Sequence, residues 1–195
     1  AISWLNYARR IMLVPVGVVA QAAGVASYPF LAQLAAKNET GRFDRTLNQA
    51  LRNTIVFIVP LAVWMMLIAT PTVRLIFEQG QFTVEDTAAS ALCLRIMLGV
   101  VFCWGIQQII GRAFYANKDT LTPALAGTAV SILTIPAYYF LVKWLDAPGV
   151  AVASSLSVGL YTLVLALVWK RRHGAGGLAG VARTLLVSAG ICVPC

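Results

Sequence analysis

Charge is what this chain has least of. Only 11% of its 195 residues are charged, where an ordinary soluble domain carries about 25%. The acids Glu39, Asp44, Glu78, Glu85, Asp86, Asp119 and Asp146 all fall in or beside the connections between apolar runs. That placement excludes a carboxylate proton relay inside the runs, and equally an aspartate-rich site of the kind that bridges Mg²⁺ to a diphosphate. Histidine occurs once, as His173 in a basic linker, which leaves no imidazole set for metal binding or acid–base catalysis. The four cysteines make no site either. Cys93 and Cys103 lie in one apolar run, and Cys192-Val-Pro-Cys195 has redox-motif spacing without the strand and helix that motif requires. Gly174-Ala-Gly-Gly177 follows no strand and reads as a linker, not a phosphate loop. No catalytic residue, metal ligand or cofactor is expected.

What the chain has in quantity is uncharged length. Hydrophobic residues make up 59% of it, and the run from Ile11 to Ala36 contains no formal charge. Such a run exceeds the roughly 20 residues that cross a bilayer. The expected fold is all-α: a polytopic membrane helix bundle of about six transmembrane helices, over residues 3–36, 54–77, 84–115, 122–144, 150–169 and 178–195. Between the first two, Phe43, Leu47 and Leu51 recur every fourth residue among Arg42, Arg45 and Arg52, which predicts an amphipathic helix over 41–52 lying on the membrane surface. Thr83 with Asp86 three residues on predicts a capping box for the third span. Thr122 is expected to cap the fourth, with Pro123 at its first position. Trp4, Trp144 and Trp169 fall at span ends, as interfacial indoles do.

The net charge of +8 would suggest nucleic acid in a soluble protein, but here the basic residues punctuate apolar runs and form no phosphate-tracking surface. No nucleic-acid partner is expected. Lys37, Arg42, Arg45, Arg52, Arg112, Lys118, Lys170, Arg171 and Arg172 occupy odd-numbered connections, against Lys143 alone in the even ones, apart from Arg74 just inside a span. The odd connections are therefore expected to be cytoplasmic, which starts Arg9 and Arg10 on the outer side. The chain opens on Ala1 and stops within an apolar segment, so it reads as an excerpt of a longer protein. A twin-arginine or secretory signal around Arg9-Arg10 is the competing reading, weakened because the rest of the chain is as apolar as the supposed signal.

Tyr7-Ala-Arg-Arg-Ile-Met with Pro15-Val-Gly17 and Tyr28-Pro-Phe-Leu, then Phe77-Glu-Gln-Gly-Gln-Phe82-Thr, then Gly111-Arg-Ala-Phe-Tyr-Ala-Asn-Lys-Asp-Thr-Leu-Thr-Pro123 together resemble the MurJ/MviN family of lipid II flippases. The resemblance is carried by residues 1–123; beyond them it rests on hydropathy and on Pro148-Gly149-Val-Ala. It implies a fourteen-helix exporter of the MOP superfamily, built of two six-helix lobes plus two helices, of which this chain would hold helices eight to thirteen. The amino-terminal lobe would be its missing partner. It also implies a bacterial inner-membrane protein that moves the lipid-linked peptidoglycan precursor between leaflets by alternating access among membrane lipids. By motif position Arg10 matches a cavity arginine of the family. Arg9 departs from it, since relatives commonly carry an acid there, and Arg95 falls in a helix where the family can hold another functional arginine.

The residues themselves agree with a substrate-binding role for Arg10, Arg95 and Arg9. A diphosphate is anionic, and guanidinium groups engage its oxygens in forked pairs while staying charged at every relevant pH. The alternatives stay open: Arg9 and Arg10 can snorkel to the outer interface, and Arg95 can be a polar contact between helices. Other functions also remain, namely another exporter of the superfamily for polysaccharide lipids or drugs, a membrane scaffold, or an enzyme acting on isoprenoid diphosphates.

Overall fold

A computed structural model describes residues 2–77, 83–174 and 180–192, all of whose regular elements are helical. In chain order these are α1 (Ile2–Pro15), a π-helical segment (Val16–Gln21), α2 (Ala22–Ala36), α3 (Thr40–Leu67), α4 (Ala69–Phe77), α5 (Val84–Leu98) and α6 (Val101–Ala116). They are followed by α7 (Leu121–Asp146), α8 (Pro148–His173) and α9 (Val181–Cys192). Four stretches are long and apolar enough to cross a bilayer: Leu5–Ala36, α3, α7 and α8. The pair α5 and α6, bent by 44°, is long and apolar enough to make a fifth when the two are taken as one broken span. No proline lies in that pair; the break spans Gly99, which keeps helical dihedrals, and Val100, which leaves the helical region at φ −118° and ψ 10°. The protein is a multi-pass membrane helix bundle.

The expected surface helix over 41–52 is not separate from the span that follows it. Phe43, Leu47, Leu51, Ile55, Ile58, Ala62 and Met65 form one uninterrupted stripe at spacings of three and four, and all are buried. With no breaker between Asn53 and Thr54, the two segments propagate as the single helix α3. Its amphipathic end therefore buries its apolar face in the bundle instead of in lipid. The far end also differs from expectation, because α3 stops at Leu67 and the chain restarts as α4.

The α5 start matches its sequence signal. Thr83 Oγ1 accepts the Asp86 N–H at 3.2 Å, and Asp86 Oδ2 accepts the Thr83 N–H at 2.9 Å. The α7 start does not. The helix begins at Leu121, and Asp119 supplies the cap: its Oδ1 accepts the Thr122 N–H at 3.0 Å and its Oδ2 accepts the Thr122 hydroxyl at 2.6 Å. A carboxylate is the better acceptor for the exposed N–H groups at a helix N-terminus. Pro123 still falls in the first turn, where its missing N–H costs nothing.

α7 and α8 form an antiparallel hairpin turned at Asp146, whose φ of 53° lies outside the helical region. Three polar stitches hold it: Arg172 to Asp119, Tyr161 Oη to the Pro123 carbonyl at 3.1 Å, and Thr134 with Ser157 at 3.4 Å. Thr162 Oγ1 adds a bond to the Cys103 carbonyl of α6 at 3.1 Å. Such bonds and close packing, not hydrophobic exclusion, hold helices together in lipid. Gly105 shows the closeness, since a Cβ there would meet Thr54 Cγ2 of α3 at 3.0 Å.

Trp144 is 83% exposed, as an indole at a span end should be, whereas Trp169 is fully buried. Phe43 stacks on its ring at 5.9 Å, Phe114 meets it edge-on at 5.0 Å, and His173 stacks at 4.2 Å. The chain enlists Trp169 as the centre of an aromatic cluster joining α3, α6 and α8. His173, expected to be a solvated linker residue, covers that cluster. Trp4, Cys195 and the Gly174-to-Gly177 linker beyond its first residue lie outside the described side chains or residues.

Candidate functional site

The track from α1 to α2 has two unlike sides. Ala8, Ile11, Met12, Val16 and Ala20 are buried within the bundle. Arg9 and Arg10, Leu13 and Val14, Gly17 and Val18, Gln21 and Ala22, Val25 and Ala26 are exposed. Exposed pairs that recur every four residues would drift around an α-helix of about 3.6 residues per turn. The π-helical segment, wound more loosely, offsets that drift and keeps the stripe on one side. It begins directly after Pro15, which lacks the N–H that would bond back to Ile11. Isolated π segments of this kind occur frequently at functional sites.

At the amino-terminal end of the stripe, Tyr7 packs on Phe77 with ring centroids 4.4 Å apart, so two of the distinctive motifs meet there. Arg9 and Arg10 follow within the next turn. Neither guanidinium has a hydrogen bond or ion pair among the described residues. Their charges are therefore open to an anion.

Toward the other end sits an arginine that the sequence reading had counted only as a loop charge. Arg112 of α6 lies across α2, where its Nη2 donates to Gln21 Oε1 at 3.1 Å. Gly24 makes room for it: a Cβ on that residue would stand 2.6 Å from Arg112 Nε. The Nε itself is buried without a hydrogen-bond partner, and no carboxylate pairs with the group among the described residues. Leaving a buried donor unmade is costly, so this geometry favours an acceptor arriving from outside. Gln21 lies eleven residues beyond Arg10, about 16 Å along the helix axis. The stripe thus carries guanidinium groups at two levels, joined by apolar and small residues. Below Arg112 it opens onto a hollow of about 520 Å³ lined by Tyr28, Ala32, Tyr115, Asn117 and Lys118.

Arg95 is not brought to this stripe by any bond. Its Nε donates to the Met66 carbonyl and its Nη2 to Thr70 Oγ1, each at 3.3 Å. These contacts satisfy carbonyl and hydroxyl oxygens at the break between α3 and α4, and tie α5 to that break. Among the described residues no group of three histidine, cysteine or acidic side chains is placed to hold a metal ion.

The model of the family described as "Lipid II flippase MurJ" matches residues 1–195. A relative of that name from Thermosipho africanus is 34% identical over 154 residues, covering 78% of this chain and 31% of the relative. A "Probable lipid II flippase MurJ" from Rhizobium meliloti is 32% identical over 178 residues, covering 89% and 33%. Another flippase, from Burkholderia cenocepacia, is 26% identical over 176 residues, covering 88% and 33%. A solved structure titled "Lipid II flippase MurJ, inward closed conformation" superposes with a TM-score of 0.78 at 25% identity, covering 99% of this chain and 46% of that one. The chain spans about a third of the length of the curated relatives it matches.

Proposed function

Since the chain belongs to the lipid II flippase MurJ family, we propose that it supplies one wall of a path by which a lipid-linked peptidoglycan precursor crosses the bacterial inner membrane. The activity is transport, not catalysis. The undecaprenyl-diphosphate group passes along the α1–α2 stripe, and the facing wall comes from an amino-terminal lobe like that of the longer relatives. Alternating access exposes the stripe to one leaflet and then the other.

The observation that carries this reading is the unpartnered Arg10 on an exposed helix face beside a broken helical segment. Forked, permanently charged donors suit diphosphate oxygens. Arg112, half-buried and short of acceptors, suits the same group at a second level of the path. Arg9 adds charge at the outer mouth. Arg95, which spends two of its donors on the Met66 carbonyl and the Thr70 hydroxyl, acts at a distance by fixing α5 on the α3–α4 break. A drug antiporter for cations would want acids on the stripe, and its exposed pairs contain none.

The test is complementation of a flippase-depleted bacterium by the protein carrying Arg10→Ala or Arg10→Lys, with membrane abundance checked by immunoblot. Losing a charged hydrogen-bond partner costs about 1.5–3 kcal/mol, roughly ten- to a hundredfold in affinity. Growth should fail with Ala. Rescue by Lys would reduce the role to charge alone, and normal growth with Ala at normal abundance would remove Arg10 from the path.

A further inference from the structure

A second basic concavity lies away from the stripe, where α9 packs along α3. Two adjoining hollows of about 520 and 560 Å³ share Arg52, Val56 and Thr184. The upper is lined further by Arg45, Asn48, Gln49 and Asn53; the lower by Pro60, Arg183, Val187 and Ser188. No carboxylate lines either one. Arg52 Nε donates to Thr184 Oγ1 at 3.2 Å, which draws the two helices together. Arg45 and Arg183 are exposed, with no hydrogen bond or ion pair among the described residues.

The lining changes character along the cleft. On α3, Arg45 and Arg52 give way to Val56 and Pro60; on α9, Arg183 and Thr184 give way to Val187. Both helices run in the same sense, from a guanidinium level to an apolar one. From Arg45 to Val56 is eleven residues, about 16 Å of helix. That length covers a phosphate head group and the beginning of an acyl chain. Basic hollows between membrane helices on the cytoplasmic side are where anionic head groups bind, and Arg45 and Arg52 belong to the connection whose charge assigns it to that side.

We propose that the cleft between α3 and α9 binds an anionic glycerophospholipid of the cytoplasmic leaflet. Arg45, Arg52 and Arg183 hold its phosphate, and Val56, Pro60 and Val187 seat one acyl chain. The site is separate from the stripe and does not depend on the transport reading. A bound lipid there bridges α3 to α9 and fixes α9 against the bundle.

Native mass spectrometry of the protein titrated with phosphatidylglycerol or phosphatidylcholine of identical acyl chains tests this. Each arginine near a membrane surface is worth about fivefold in affinity for an anionic lipid, and three together on the order of a hundredfold. Phosphatidylglycerol should bind the more tightly, and the combined Arg45→Gln, Arg52→Gln and Arg183→Gln protein should lose that preference. A control with Lys143→Gln, Lys170→Gln and Arg171→Gln removes the same charge elsewhere and should keep it. Should the triple cleft variant fail to fold, Arg45→Gln and Arg183→Gln taken singly lose no hydrogen bond within the protein, and each should weaken binding about fivefold. Unchanged affinity in those variants, equal binding of the two lipids, or an equal loss in the control overturns the proposal. Displacement of phosphatidylglycerol by inorganic phosphate at matching concentration would assign the cleft to a free anion instead, and overturns the lipid assignment.

Discussion

At the foot of α8, Arg172 Nη1 lies 2.8 Å from both Asp119 Oδ2 and Thr122 Oγ1, and His173 beside it stacks on a buried tryptophan. On α1, Arg9 and Arg10 have no such partners among the described residues, and the helix around them changes its winding just after Pro15. The same residue type thus closes one end of the bundle and leaves the other face open. A charge matched by a carboxylate and a hydroxyl contributes to holding helices together. A charge left unmatched in a chain so poor in acids keeps its donors free for a group outside the bundle. Arg112 stands between the two cases, with one amide partner and one donor unmade.

The closed end is where the largest loss of stability is expected. Trp169→Ala removes the ring on which Phe43, Phe114 and His173 converge, and emptying a fully buried aromatic site costs about 3–5 kcal/mol. Thermal unfolding in detergent should show this. The corresponding change at Trp144, which is 83% exposed, should leave the melting temperature nearly unmoved. Equal effects at the two tryptophans would show that the cluster does not organise that end.

The contrast sharpens through Gly24, with a smaller effect. A Cβ there displaces the Arg112 guanidinium from Gln21, but the clash falls on a flexible side chain. Gly24→Ala should therefore change stability by under about 1 kcal/mol while lowering export to the level of Arg112→Gln. The double variant should fall no further, because the two changes remove one feature. Additive losses would separate Gly24 from Arg112.

How much of this could be read beforehand depended on how local the cause was. The apolar runs, the helical class and the Thr83–Asp86 box are matters of a few neighbouring residues, and the structure has them. The fusion of residues 41–52 with the span after them was also local, since the stripe from Phe43 to Met65 never loses phase, but polarity drew attention away from period. Trp169 was misplaced because its burial depends on Phe43 and Phe114, distant in sequence. Arg112 lay in a recognised motif, yet its contact to Gln21 spans 91 residues. Only the fold brings the two together, and only the fold explains why position 24 is glycine.

The smallest expected effect is at Asp119, and it tests whether the closed end is held by charge or by capping. Thr122 is the main reason its carboxyl titrates below the usual range, through its hydroxyl and its N–H, with Arg172 and His173 adding to the shift in the same direction. A carboxyl whose folded pKa is depressed stabilises fully above its unfolded value of 3.8, and that stabilisation is lost as pH falls through the folded value. The pair is partly exposed, with Arg172 at 56% and Asp119 at 24%, so it contributes no more than about 1 kcal/mol. Melting temperatures of the protein and of Asp119→Asn should differ at neutral pH and converge below 3.8. Thr122→Ala should reduce the difference more than Arg172→Gln does, since the cap outweighs the ion pair. The reverse order would make the α7–α8 junction an electrostatic clasp, and the closed end would then owe its stability to the same kind of charge that the stripe keeps free.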